Sequence, residues 1–529
     1  MMPSRPRPLF GQGWPGTLPR SPPGDPSGVP SRPTSARADA MIFNSAVFLF
    51  GFLPLTLAGY FLLMRARRTL VAKSWLVLAS AVFYGWWMPA HVPLLACSVG
   101  FNYRVGVALM AQAGRPAGRR LLQLGVAANL LALAFFKYSN FIVVNLDLAT
   151  GAQWHPPVAA LPLGISFFTF TQIAWLVDSW QGKVRDRSAL DYALFVTFFP
   201  HLIAGPILHH REMMGQFASR WTHALRSSHL LRGMFIFSIG LSKKVLLADT
   251  FAGWADEGFD RGVPLDLVAA WSASLSYTFQ LYFDFSGYCD MAMGAALLFN
   301  IWLPVNFNSP YKALDIQDFW RRWHITLSRY LRDYLYVPLG GNRGGSLSTS
   351  TNLMVTFLLG GLWHGASWMF VAWGALHGVA IVAHRLWKQR GLALPGPLAW
   401  VLTFVFVDVA WVFFRARSWA DASRVLHGMV DVGSLSAWSE SDLATHHFAW
   451  AGALLDPLLA VAPATVVAQL TSLVAIAGAL ALMSRPNSVA LMRRHGSRAA
   501  GVAGAGVLFV VASMAMLASR QTPFLYFNF

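Results

Sequence analysis

The sequence predicts an all-α, polytopic membrane protein, and three observations carry that reading. The 529 residues are 55% hydrophobic and 12% charged, with a mean hydropathy of +0.47; an average soluble domain carries about twice that charged fraction. Apolar stretches of about 20 residues, the length that crosses a bilayer as a helix, recur along the chain. Basic residues collect in alternate gaps between the early stretches. Length therefore does not convert into a number of soluble domains.

Residues 1–40 stand apart. They hold ten of the 29 prolines and no apolar run, too little to bury for a fold, and they lack the h-region of a secretory signal. We read them as a disordered Pro/Arg-rich extension. Met41, which opens MIFNSAVFLFGFLPLTLAGYFLLM, is the expected start of one membrane domain over 41–529.

Spans are expected near 42–64, 70–87, 91–112, 121–145 and 157–180. The first gap holds Arg65, Arg67, Arg68 and Lys73, the third Arg115, Arg119 and Arg120, and the fifth Lys183, Arg185 and Arg187; the second and fourth hold neither Lys nor Arg. Gaps one, three and five are thus expected in the cytoplasm. YALFVTFFPHLIAGPIL starts and ends beside basic stretches, with Arg187 before and Arg211, Arg220, Arg226 and Arg232 after. It is expected to dip in and return, broken at Pro200 and Pro206. Further spans are expected near 233–252, 264–300, 351–387, 398–414, 447–484 and 502–519, those too long for one crossing being helix pairs. Between them lies SPYKALDIQDFWRRWHITLSRYLRDYLYVPLGGNRGG (309–345). Trp320, Trp323, Leu327, Tyr330, Leu331 and Tyr334 recur there at helical spacing, with Arg321, Arg322, Arg329 and Arg332 on other turns. That pattern predicts an amphipathic helix at a membrane interface.

The net charge of +18 fits cytoplasmic loops and anionic lipid headgroups. No zinc-finger spacing, recognition helix or RNA-binding motif accompanies it, so nucleic acid is not an expected partner. Cys97 and Cys289 fall in no CxxC or Cys/His cluster, which reads as two small helix residues.

Polar residues at membrane depth are costly and carry a functional reading by default. In LLGGLWHGASWMFVAWGALHG, His364 lies in an apolar run flanked by Gly360, Gly361 and Gly365. The glycines allow close approach by another helix or by a substrate. An imidazole held out of water there suits a general base; equally, it suits a hydrogen bond between helices. His324, in WRRWHITLS, is either a headgroup-level histidine or a second member of the same cavity, which the turn at Gly340, Gly341, Gly344 and Gly345 would allow. Asp284 and Asp290, in QLYFDFSGYCDMAMG, suit proton relay, cation binding or, as the preferred reading, hydrogen bonds between helices. His201, His209 and His210 lack a carboxylate or cysteine at ligand spacing, so no metal site is expected. His377 receives no role. GxSxG, Walker A and GxGxxG in proper context are absent.

Several long motifs together give a resemblance to a family. MIFNSAVFLFGFLPL, LPLGISFFTFTQIAWLVDSW, FFPHLIAGPILHHREMMGQF, QLYFDFSGYCDMAMG, DFWRRWHITLSRYLRDYLYVPLGGNRGG, GGLWHGASW, WVFFRA and TPFLYFNF follow in order over essentially all of 41–529. The chain resembles the membrane-bound O-acyltransferases, and within them the bacterial alginate O-acetyltransferases. It departs in residues 1–40 and in Cys289, where relatives often carry Ser. The resemblance implies a ring of tilted helices around a thin centre with a tunnel between the faces. It places the family's essential histidine on His364 and the second motif histidine on His324. It implies no bound cofactor. An acetyl thioester (acetyl-CoA or an acyl carrier) is the expected cytoplasmic donor, with Arg321, Arg322, Arg332 and Trp320 as its docking groups. The acceptor side would be exported polysaccharide, most directly alginate, with periplasmic acetyltransferase partners and a multi-pass location in the bacterial inner membrane. The rivals are D-alanyl or acetyl transfer to teichoic acid, cellulose or peptidoglycan, and, from another class, a glycan transporter.

Overall fold

The structure, a computed structural model, describes residues 41–152, 154–155, 160–434, 464–518 and 523–528. The expected extension at 1–40 lies outside the described residues, as does most of the first half of the stretch expected at 447–484.

Among the described residues all regular structure is helical, and seven helices are long and apolar enough to cross a membrane. The first four are Val47–Arg65 (α1), Thr69–Trp87 (α2), Val92–Ala111 (α3) and Pro116–Thr150 (α4). They match the expected spans closely, because their boundaries are chemical: Arg65 to Arg68 end α1, and Pro116 starts α4 in its first turn, where a proline costs no hydrogen bond. The span expected at 157–180 is shorter. It begins at Ile165 (α5, Ile165–Trp180), after Gly164 turns the chain at φ +71° against the backbone of Ile203. α5 is buried on nearly every face.

The expected re-entrant segment is two short helices, Ala189–Thr197 (α6) and Phe199–Leu202 (α7), far short of the ~20 residues of a crossing. His210–Ala218 (α8) follows. Ser227–Ser242 (α9) runs through a π turn at Lys243–Ala248 into Asp249–Asp260 (α10).

The centre is Leu267–Leu298 (α11), a single unbroken helix of 32 residues. This corrects the expectation of a helix pair at 264–300. The reason lies in its surroundings: α11 is buried from Ala269 to Leu298 almost without interruption, so protein rather than bilayer thickness sets its length, about 48 Å at 1.5 Å per residue. α9 lies along it at two glycine pairs. A methyl on Gly240 would stand 2.6 Å from the Gly287 carbonyl oxygen, and one on Gly294 would stand 2.7 Å from that of Gly233. Such backbone contact is how membrane helices associate without a hydrophobic driving force.

One turn past that contact, the two lysines of the π turn meet carboxylates of α11 and of the start of α10. Lys243 Nζ lies 2.7 Å from Asp290, and Lys244 Nζ lies 2.7 Å from Asp249 and 2.8 Å from Asp284. Asp284 also accepts from the backbone N–H of Leu525 at 2.9 Å, which pins the segment near the end of the chain beside buried Phe524.

The segment expected as one amphipathic helix is helical but broken. Ile316–Arg322 (α12) and Ile325–Leu331 (α13) meet at His324, whose backbone is left-handed at φ 42°, and a π turn at Arg332–Tyr336 follows. The stretch expected at 351–387 is the anticipated pair, Gly345–His364 (α14) and Trp368–Gln389 (α15). Then come Gly396–Arg415 (α16), amphipathic Trp419–Val430 (α17), Ala464–Met483 (α18), Ser488–His495 (α19) and Ala499–Ala518 (α20). Leu470–Met483 and Ser488–His495 meet at a 55° bend.

Because backbone faces backbone where α9 crosses α11, Gly240→Leu is expected to cost about 1–3 kcal/mol of stability. In detergent this reads as a lower thermal midpoint than wild type, whereas Gly478→Leu, where an added methyl meets open space, should leave the midpoint unchanged.

Candidate active site

His324 and His364 come together. Their ring centroids are 6.4 Å apart, and both side chains are sealed, His324 at 0% and His364 at 3% exposure. The sequence spacing of 40 residues is closed by the break at His324 on one side and by the end of α14 on the other.

His364 is the last residue of α14, and extended Gly365 stops the helix there. Of the flanking glycines, Gly361 serves a close helix contact. A methyl on Gly361 would lie 3.1 Å from the Gly374 Cα, and one on Gly374 would lie 2.5 Å from the Phe357 carbonyl oxygen. α14 and α15 are thereby drawn together, and Ser367 caps α15 by accepting from Met369 N–H. Around the imidazole stand Trp363, Trp373 and Phe414, with ring centroids 4.9, 5.1 and 5.2 Å away.

His324 is held by a polar knot. Its Nδ1 lies 3.1 Å from Asn306 Oδ1, which also accepts from Thr326 N–H at 3.2 Å and from the Thr326 hydroxyl at 2.9 Å. Thr326 Oγ1 in turn accepts from Ile207 N–H at 3.0 Å. The Thr326 backbone N–H can only donate, so it fixes the oxygen of the Asn306 amide on this side. Facing an acceptor, Nδ1 carries the His324 proton, and Nε2 is the ring's acceptor nitrogen. Asn306 Nδ2 donates to Cys289 Sγ at 3.3 Å. A left-handed backbone at a non-glycine residue is strained, and this knot is what holds it.

Two groups without a role in the sequence reading reach the end of α14 from the π turn of α4 at Ala134–Tyr138. Lys137 Nζ donates to the Trp363 and His364 carbonyls at 2.5 and 3.2 Å and to Ser166 Oγ at 3.1 Å. The Tyr138 hydroxyl donates to the Leu362 carbonyl at 2.8 Å. A lysine within the apolar run LALAFFKYSNF was the available signal; Asn306, in a loop, offered none.

The other candidates are placed apart from the pair. Arg321 and Arg332 are exposed, Arg332 beside Asp333 at 2.7 Å, and Arg322 pairs with Asp318 at 2.8 Å. Trp320 turns inward instead of joining them: its indole N–H donates to His377 Nδ1 at 3.2 Å, and its ring packs on Phe357 and Trp373. Trp320 is thus half-buried among these rings, and His377 serves as its acceptor. His209 and His210 belong to a network at the ends of α5 and α8. Asp178 lies 3.0 Å from His210 Nδ1 and accepts from the Tyr334 hydroxyl at 3.0 Å, and that hydroxyl lies 3.1 Å from His209 Nδ1. Burial first, and the Arg329 guanidinium next, hold the His209 imidazole below its usual range. Arg329 meets Glu212 through both terminal nitrogens, at 2.6 and 2.8 Å, so the network staples α13 onto α8. Among the described residues no group of three His, Cys, Asp or Glu could hold a metal ion.

Residues 116–414, which include Lys137, Asn306, His324 and His364, match the membrane-bound O-acyltransferase family. The chain is 49% identical over 430 residues to a peptidoglycan O-acetyltransferase of Helicobacter pylori, covering 76% of this chain and 82% of that protein. It is 44% identical over 412 residues to a probable alginate O-acetylase of Azotobacter vinelandii, covering 76% and 80%. To that of Pseudomonas aeruginosa it is 43% identical over 410 residues, covering 76% and 77%.

Without Asn306 Oδ1, His324 loses the partner that sets its tautomer. Asn306→Leu is expected to slow turnover about tenfold or more at an unchanged yield of monodisperse protein in detergent; full turnover would show that the ring is set by other contacts.

Proposed function

The chain belongs to the membrane-bound O-acyltransferase family, and from that premise we propose that it serves O-acetylation of an exported cell-envelope polysaccharide. It is a multi-pass membrane acyltransferase. The observation that carries the proposed mechanism is the sealed pair of histidines at a centroid spacing of 6.4 Å.

In this mechanism the donor is an acetyl thioester (acetyl-CoA or an acyl carrier) arriving from the cytoplasm. Arg321 and Arg332, exposed on the broken amphipathic segment, would attract an anionic donor, with Arg322 alongside. His364 takes the proton from the acceptor hydroxyl as its oxygen attacks the thioester carbonyl carbon; the C–S bond breaks, and the thiolate leaves with that proton. Nδ1–H of His324 is committed to Asn306, so His324 acts through Nε2 as an acceptor. It positions the reacting groups without donating to the carbonyl, and leaves the single proton of the attacking hydroxyl to His364. Aromatic walls exclude the water that would hydrolyse the thioester.

The acceptor is a sugar hydroxyl, or a serine-type hydroxyl on a periplasmic acetyltransferase partner, and the setting is the bacterial inner membrane. Alginate is the acceptor to which the motif wording points. Peptidoglycan is the second reading, favoured because 49% identity to the Helicobacter pylori enzyme exceeds the 43–44% to the alginate acetylases. The transporter reading loses its main support, since Asp284 and Asp290 are both committed to lysines.

The test is the acetyl ester content of exopolysaccharide and of peptidoglycan, measured separately at matched membrane levels. His364→Ala is expected to abolish esters in one polymer while its yield holds, and His324→Ala to lower them about 100-fold or more. Esters persisting in both polymers with His364→Ala would remove His364 from the chemistry.

A further inference from the structure

We propose that Lys137 is a positioning residue for His364, holding the end of α14 through its charge. The proposal rests on the reading of His364 as the reacting base.

The last four carbonyls of α14 have no partner inside the helix, and together they form the negative end of its dipole. In a membrane, backbone groups of this kind must be satisfied by the protein itself. Gly365 leaves the helical path, so the chain that follows does not continue the ladder. Adjacent residues of α4 supply donors for three of the four. Tyr138 closes the Leu362 carbonyl, and Lys137 closes those of Trp363 and His364.

An ammonium has three N–H donors, and Lys137 has three acceptors, the two carbonyls and Ser166 Oγ. Among the described residues it makes no ion pair with a carboxylate. Lys243 and Lys244, by contrast, each sit on aspartates. The Lys137 charge is thus directed at the backbone of one residue pair, Trp363–His364. Its Nζ also lies 5.8 Å from the centre of the Trp363 ring, and that ring lies 6.2 Å from His324. Loss of the clamp leaves the carbonyl of His364 itself without its donor, and any adjustment there moves the imidazole directly.

The experiment compares Lys137→Met, which keeps the length without the charge, with Lys137→Arg, which keeps charge and donors. Acetyl esters are measured per amount of monodisperse protein, with His364→Ala alongside. Lys137→Met is expected to fall about 100-fold, the scale of a misplacement of roughly 1 Å, and Lys137→Arg to recover at least about tenfold of that loss. Should the methionine variant not fold, Lys137→Gln, with N–H donors and no charge, takes its place under the same criterion. Lys137→Met within about threefold of wild type, or no recovery in Lys137→Arg, overturns the proposal while leaving an inactive His364→Ala to support the catalytic reading. An active His364→Ala overturns both.

Discussion

A helix that stops out of reach of water leaves carbonyls or N–H groups that something else must bond, and this molecule is arranged around two such stops. One is the end of α14 at His364, closed by Lys137 and Tyr138 from α4. The other is the start of α13 at His324, where Asn306 accepts from the N–H groups of Ile325 and Thr326. In an unbroken helix an imidazole would hang from a cylinder with its backbone already satisfied. Here the breaks place both imidazoles at ends, where the chain can turn and bring them together.

The same accounting explains the buried charges. Lys243 and Lys244, in the π turn after α9, pair with Asp290 and Asp284 of α11, and Lys244 also meets Asp249 at the start of α10; the Asp408 carboxylate accepts from the hydroxyls of Ser274 and Thr278 at 2.8 and 2.6 Å. An unpaired charge at such depth is costly, and each of these is met by an opposite charge or by donors. The glycine pairs make the pairing possible, since side chains at Gly240 or Gly287 would hold the helices apart and the lysines away from their partners.

Much of this is legible in the sequence. Span positions follow from apolar length and the basic gaps, since both are local properties; His364 and His324 stand out as polar residues in or beside apolar runs. What cannot be read is partnership. QLYFDFSGYCDMAMG shows two aspartates, but nothing local says that Lys243 and Lys244 face them. The periodicity of Trp320 to Tyr334 describes one helix face, and it hides the break at His324 because a left-handed residue changes the chain's direction without altering the spacing of apolar residues. Length alone predicts two helices where the 32-residue α11 stands, because bilayer thickness is the wrong ruler for a helix enclosed by protein. Lys137 is within sight and easily overlooked: one charge in a span is readily counted as tolerated, when its cost asks for a reason.

The π turns have a consequence of their own. Each amounts to one residue inserted into a helix, and Lys137 and Lys243 both lie in such turns. Deleting one residue there would restore regular winding with the flanking helix facing nearly as before, while the lysine would lose the widened turn that aims it at its target. A single-codon insertion or deletion at such a turn can therefore gain or lose the lysine's aim without altering the helix faces on either side. Substitution counts alone would not record that history, and an alignment that smooths over one-residue gaps near residues 134–138 or 243–248 would erase it.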